Sequence, residues 1–500
     1  MYGISRRAAL GAALLLALGG CTAGSGAATQ TGADGPPVAG GTLRYGTVAA
    51  GGGSAVTDPH GSLFNESDWV RMGALYDVLT LPGADGSAQP RLATSWTSAA
   101  GATRWRFELR PDAVFTDGKP VRAADVLHSL RRMATLAARN GGRLGTVDIA
   151  KSSADGEHAV VLVTASPDAE LPRTLAGVTF VVPDGVEDFE RPVGSGPFTL
   201  STVDGQTAVL ARNDEWWGTR PHVDRLEIRS FADPQALAAA VTSGDVDVAA
   251  NVSPAAAKTA EQTGRLVVSR RPAATTYPML MRTDQAPFDR PEVREAVKLA
   301  VDRQALVDGV LLGYGKPSGD VPGGTDVPAP ARDVAAARRL LGGELNLVLH
   351  TTTAYPGMVS AATLLAKQLG EAGLRVEVRQ HPPETYWTQV YTVEPLAMGY
   401  YTDVPFPVWV RQTALRTSAF NETGWQDAAF DSAFAAAMAT EDAGRRDAQL
   451  KTLRERMADE GGWLVWGLGD GLDVTSPAVR ALPTGTGFAR IFLDGVWLRP

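Results

Sequence analysis

The chain is nearly devoid of cysteine: Cys21 is its single thiol in 500 residues. One thiol excludes an intrachain disulfide framework, so stability has to come from buried apolar surface. Histidine is almost as scarce. The six are His60, His128, His158, His222, His350 and His381, and no two stand at the spacing of a helical metal site. The H-E-x-x-H pattern is missing. Gly194-Ser195-Gly196-Pro197 does not fit the G-x-S-x-G nucleophile elbow, and Asp58-Pro59-His60 reads as a turn. Gly315-Lys316-Pro317-Ser318 lacks both the upstream glycine and the serine next to lysine that a phosphate loop needs. With 55 acidic residues, carboxylate pairs say nothing without geometry. No catalytic residue, metal or cofactor is therefore expected. Positive excess is absent too: 47 Lys and Arg leave a net charge of −8, which argues against a nucleic-acid partner. Beyond the N-terminus no apolar run reaches 18 residues, so no further membrane span is expected.

What is present begins at the N-terminus. Arg6 and Arg7 precede Ala8 to Leu18, an apolar stretch apart from Gly11 and too short to cross a bilayer core of about 30 Å. It reads as a signal peptide over residues 1–20. Leu18-Gly19-Gly20-Cys21 resembles a bacterial lipobox, which makes Cys21 the expected lipidated first residue of the mature chain. Ser5 to Leu10 also resembles a twin-arginine export signal, and either export route leads out of the cytoplasm. Residues 21–41 are dominated by Gly, Ala, Ser, Thr and Pro and are expected to form a flexible tether. The rest is long enough for two or three domains.

Periodicity supplies the elements. TLRYGT, Thr42 to Thr47, reads as a first strand. Trp69 to Thr80 has helical spacing. Arg104 to Arg110 alternates, with Trp105, Phe107 and Leu109 on one face. Ala123 to Arg139 reads as an amphipathic helix. DRLEIRSF, PQALAAAVTSG and DVDVAANV then spell strand, helix, strand, which implies a parallel pair with a right-handed crossover. Asp289 to Leu312 reads as one long helix. LNLVLH, MVSAATLLAKQLGEAG and LRVEVRQ repeat the βαβ grammar, followed by a short helix ETYWTQVY and a buried strand LAMGYY. VPFPVW reads as a proline-rich loop, and Asp431 to Met457 as helix broken at Gly444. From Trp463 onward short strands and turns are expected. Open α/β sheets bind ligands beyond the carboxyl ends of their strands. Two segments fall there: Asn251-Val252-Ser253, and Tyr400 to Pro407.

Several segments together resemble the extracytoplasmic solute-binding proteins of family 5, the peptide/nickel-type substrate-binding lipoproteins of ABC importers. They include WRFELRPDAVFTDGKPVRAADVLHSLRRM, PVGSGPFTL, ARNDEWWGTRPHVDRLEIR and APFDRPEVREAVKLAVDRQALVDGVLLGYGKP, and the likeness runs over residues 42–480. The resemblance implies an α/β, periplasmic-binding-protein-like fold of type II. Two hinged lobes close on a ligand and a third domain is added. Residues 42–60, 176–272 and 471–500 would form a discontinuous lobe I, 61–175 the extra domain and 273–470 lobe II. It implies capture of a small solute, an oligopeptide first among them, and delivery to an ABC permease and ATPase complex. The protein would be a monomer held to the outer face of a bacterial cell membrane by its lipid, and not an enzyme. A hydrolase or a sensor lipoprotein on the same fold is the alternative.

The resemblance also implies a site. In the family's peptide binders an aspartate after the late strand of the second lobe holds the peptide ammonium, and Asp403 in YYTDVPFPVW stands at the matching position. The competing reading of Asp403 is a turn or helix cap beside proline. Tyr400, Tyr401, Tyr386, Trp387 and Trp409 would supply walls and hydroxyls, some of them as core, and Asn251 the opposite edge. Dipeptide binders carry an arginine where this chain has Thr351, Thr352, Thr353 and Tyr355. That departure speaks against dipeptide specificity. It leaves longer peptides, opines, sugars and metal chelates open. Arg411 and Arg416 are downstream candidates for a ligand carboxylate, with a surface role as the alternative.

Overall fold

Two long strands organise the fold. Val267–Met281 and Trp463–Thr475 pair antiparallel from Val267 opposite Thr475 to Leu280 opposite Trp463. The structure is a computed structural model. It describes residues 35–500 except 50–52, 84, 85, 100, 137–142, 323–325, 403 and 486. Cys21 and Asp403 thus lie outside the described residues. The short strands and turns expected from Trp463 are instead one 13-residue strand. Its glycines are sites of close approach rather than turns. A Cβ on Gly469 would meet the Tyr277 ring at 2.7 Å, and one on Gly471 the Arg271 guanidinium at 2.7 Å.

On one side of this ribbon the sheet continues through Val248–Ala249, Thr42–Val48, Arg225–Phe231, Thr207–Arg212 and Phe198–Val203. On the other it continues through Leu396–Met398, Leu345–Thr352 and Leu374–His381. The ribbon's ladder slips between Arg271 and Thr275, where Ala273 takes a φ of 58°. Both βαβ units form parallel strands. Arg225–Phe231 and Val248–Ala249 flank Thr42–Val48, and Leu345–Thr352 pairs directly with Leu374–His381. Local chemistry sets their helices. Asp233 accepts from the Ala236 amide at 2.7 Å to start Pro234–Ser243, and Gly244, at φ 82°, ends it. A separate antiparallel sheet orders Ala93–Ser98, Arg104–Leu109, Ala159–Thr164 and Val147–Ala154. Helix Ala123–Thr135 packs on it around Phe107, Leu130, Met133 and Leu162.

Capping residues moved several boundaries. The helix read from Asp289 to Leu312 is two, Pro291–Ala300 and Arg303–Val310. Asp302 restarts it by accepting from the Ala305 amide at 2.9 Å, while its own amide donates to Gln368. The later break falls at Asp442, which caps Ala443–Glu460, and Gly444 lies inside that helix. The helix read from Trp69 to Thr80 is Glu66–Leu75, one turn earlier, with Asn65 at its N-cap. Much of the proline-rich loop is helix Phe406–Thr413, with Pro407 in its first turn, where a missing N–H costs nothing. Among the described residues no helix is long and apolar enough to cross a membrane.

Candidate solute cavity

A cavity of about 390 Å³ lies along the slipped part of the ribbon. Helix Glu66–Leu75 supplies Glu66 and Trp69 to it, and Asn251 stands just past strand Val248–Ala249. The 3-10 turn Gly487–Ile491 adds Phe488 and Arg490. Tyr277, Tyr355, Thr402 and Val404 line the facing wall, while Tyr314 packs with Val252 and Leu472 beside Asn251.

One polar network runs through the first wall. Glu66 receives the Tyr45 hydroxyl at 2.7 Å, the Asn251 amide NH2 at 2.5 Å, and the Arg490 guanidinium. Burial and the facing Glu66 carboxylate hold the Tyr45 hydroxyl well above its ordinary pKa, so it stays a donor at neutral pH. Asn251 sits at φ 51°, a left-handed conformation that asparagine tolerates better than most residues. Its side-chain oxygen accepts from Arg271 Nη2 at 2.6 Å, and its backbone N–H donates to Asp473 at 2.9 Å. Arg271, 1% exposed, completes the network with two bonds to Asp473 at 2.9 and 3.0 Å. Asp470, also on the cavity, pairs with Arg270 at 2.5 Å. Among the described residues each lining carboxylate is therefore matched by a guanidinium.

The second wall is aromatic. Tyr355 stacks on Tyr400 at 4.0 Å between ring centroids and packs against Tyr277 at 5.9 Å, which in turn stacks on Trp466 at 4.9 Å. Tyr400 and Trp387, expected on the wall, stand in the row behind Tyr355, with Trp387 edge-on to Tyr400 at 5.6 Å. Tyr386 is fully buried and donates to the carbonyls of Met398 and His350 at 2.6 and 3.1 Å. Trp409 is packed in the core against Tyr401 and Trp463. Asn251 lines the cavity, and so do Thr402 and Val404, the two chain neighbours of Asp403. Arg411 pairs with Asp168 at 2.8 Å, and Arg416 with Asp431 at 2.8 Å. Glu66, Arg271, Tyr277 and Arg490 were not singled out from sequence. The Asn65 cap would have put Glu66 at a helix start, and an arginine pair, Arg270-Arg271, between the apolar ends of a long strand was a signal for a buried cation.

Tyr401 leads to a buried acid. Its hydroxyl, the Tyr391 hydroxyl and the Trp463 indole N–H all donate to Glu422, which is 1% exposed. These partners are neutral. Burial pushes the Glu422 carboxyl up to about 7, the three donors offsetting part of the cost of charge. A folded pKa above the unfolded one gives stability that is complete below about pH 4 and is lost as pH rises through about 7. Relative to the wild type, Glu422→Gln should therefore gain on the order of 2–3 kcal/mol between pH 5 and pH 8. Denaturant titrations of both proteins at the two pH values measure it. An equal difference at both would show that Glu422 does not titrate there.

Two sheet halves joined by a pair of crossing strands, a cavity at the join and an added antiparallel sheet define a periplasmic-binding-protein fold of type II. A solved structure of DppA from Helicobacter pylori in complex with the peptide STSA matches it with a TM-score of 0.75 at 18% identity, over 93% of this chain and 99% of that one. NikA from Brucella suis in complex with Fe(III)-EDTA matches with a TM-score of 0.79 at 20% identity, over 92% and 100%. The model of the family described as "Bacterial extracellular solute-binding proteins, family 5 Middle" matches residues 87–422, and the chain belongs to that family. "Probable di/tripeptide-binding protein 5" of Pseudomonas aeruginosa (strain UCBPP-PA14) is 28% identical over 336 residues, 59% of this chain and 64% of that protein. The chain spans about half to two thirds of the length of the curated relatives it matches at this level.

Proposed function

We propose that the protein captures a small solute outside the cell, an oligopeptide or a chemically related molecule, and passes it to an ABC permease and ATPase complex. The observation that carries this reading is the cavity itself. It joins two sheet halves, its described charged residues are held in pairs, and its other wall carries the tyrosines Tyr277 and Tyr355. Such a wall fits binding and release, since rigid aromatics offer contact area at little entropic cost. The family and the peptide-binding relative point the same way. In this reading lobe I comprises residues 42–60, 176–272 and 471–500, the extra domain 61–175, and lobe II 273–470. The protein acts as a monomer without catalysis. Asp403, flanked by the lining residues Thr402 and Val404, takes the solute's cation.

The test is calorimetric titration of the full chain, purified in detergent, with peptides of two to five residues, alongside a hydrolysis assay on the same peptides. Saturable binding without turnover is expected. Turnover would mean an enzyme on this fold, and a complete lack of binding would sink the peptide reading.

The membrane attachment is proposed to run through Cys21. A diacylglyceryl group supplies two chains, enough for stable anchoring, where one chain holds only weakly. Cys21→Ser is expected to appear in the medium or to remain unprocessed, as read by fractionation and mass of the mature chain. A processed variant that stays in the membrane would exclude the lipid anchor.

A further inference from the structure

We infer that Arg490 is the group in this cavity that takes a ligand carboxylate, and that the solute is a zwitterion. This rests on the reading of the cavity as a solute site. Arg490 lines the cavity with its side chain 19% exposed, paired with Glu66. Glu66 is itself held by Tyr45 and Asn251. The guanidinium is thus fixed in one orientation before any ligand arrives. A guanidinium is a planar fork of five N–H donors, and one carboxylate at its edge accepts at most two. The remaining edge suits a second planar carboxylate. Phe488, two residues earlier, and Trp69 pack at 4.5 Å between ring centroids, tilted by 51°, on the same wall. Apolar neighbours of this kind exclude water and strengthen a charge contact. Burial alone would lower the Arg490 pKa, but the facing Glu66 carboxylate outweighs it and holds it above its ordinary value. The group remains a cation at every working pH.

Charge balance sets the class of ligand. The network holds two guanidiniums, Arg490 and Arg271, and two carboxylates, Glu66 and Asp473, so this wall is neutral before binding. One added carboxylate adds a negative charge to this wall, and a cation on the same solute, paired with Asp403 in the proposed function, offsets it, so a zwitterion adds no net charge to the site. A phosphate dianion would add two negative charges to a partly dry site, at much greater cost. The other arginines considered for this role do not line the cavity, Arg411 pairing with Asp168 and Arg416 with Asp431 away from it. The segment Thr351 to Tyr355 has none.

The probes are alanine peptides of two to five residues, each as the free acid and as the C-terminal amide, titrated calorimetrically into the full chain. The acid is expected to bind about 30-fold or more tightly than its amide. Arg490→Gln should erase that preference. Because Arg490→Gln strands Glu66 without its cation, the charge-neutral double variant Glu66→Gln/Arg490→Gln is measured with it, and thermal melts establish that it is folded. Equal binding of acid and amide by the unaltered protein would overturn the inference and leave peptide capture standing. So would an acid preference that survives in the folded double variant. Failure of every peptide to bind would remove both this inference and the peptide reading beneath it.

Discussion

Replacing Arg271 by alanine is expected to cost about 3–5 kcal/mol of unfolding free energy. Arg271 is 1% exposed, and its two bonds to Asp473 and one to Asn251 tie three separate strand regions together. Removing it leaves the Asp473 carboxylate, 4% exposed, with the Asn251 N–H but without its cation. A buried charge stripped of its partner is penalised far more than the pair as a whole contributes. The double change Arg271→Met/Asp473→Leu should therefore cost less than Arg271→Ala alone, although it removes more polar groups. Urea midpoints of the three proteins decide it. A double variant at least as damaged as Arg271→Ala would show that the stranded Asp473 charge is not the source of the cost. The slip beside Arg271, with Ala273 in a left-handed conformation, makes this the stretch of ribbon where neighbouring strands are least regularly paired. Loss of the network should be felt at the cavity as well as in stability.

Asp403→Asn is expected to weaken peptide binding by about 2–5 kcal/mol, roughly 30-fold or more. It keeps the size of the side chain and removes its charge. Thr402 and Val404 both line the cavity, across from a wall whose own charges are matched internally. A carboxylate on the second wall would then face the solute's cation, while Arg490 faces its carboxylate. The empty protein should melt at about the same temperature or slightly higher, because an uncompensated charge has gone. Calorimetric titration with the peptide that binds the wild type best, together with thermal melts of the empty protein, tests both halves. Unchanged affinity with a lower melting point would make Asp403 a structural residue and not a ligand contact.

Order along the chain was legible where it is locally encoded. The alternation of Trp105, Phe107 and Leu109 marked a half-buried strand, and the two strand–helix–strand runs marked parallel pairs. These signals reside within a dozen residues, and so does the physics behind them: side-chain period, caps and turn residues. Where glycines such as Gly469 and Gly471 serve a distant neighbour instead of the local chain, the same reading broke a long strand into turns. The absence of catalytic spacing and the acidic charge balance were equally plain in the composition. The cavity wall was not. Glu66 and Arg490 are 424 positions apart, Arg271 and Asp473 are 202, and Glu66 and Asn251 are 185. No local period relates them. They meet because strand order brings the end of Val248–Ala249 beside Thr42–Val48 on one side and Trp463–Thr475 on the other, and because the last turn of the chain returns to the helix that follows the first strand. Tyrosines counted alike in the sequence were sorted by the same packing: Tyr355 to the cavity, Tyr400 to the row behind it, Tyr386 to the core with its hydroxyl spent on backbone carbonyls. Burial is a property of the assembled sheet, and a side chain's type alone does not carry it.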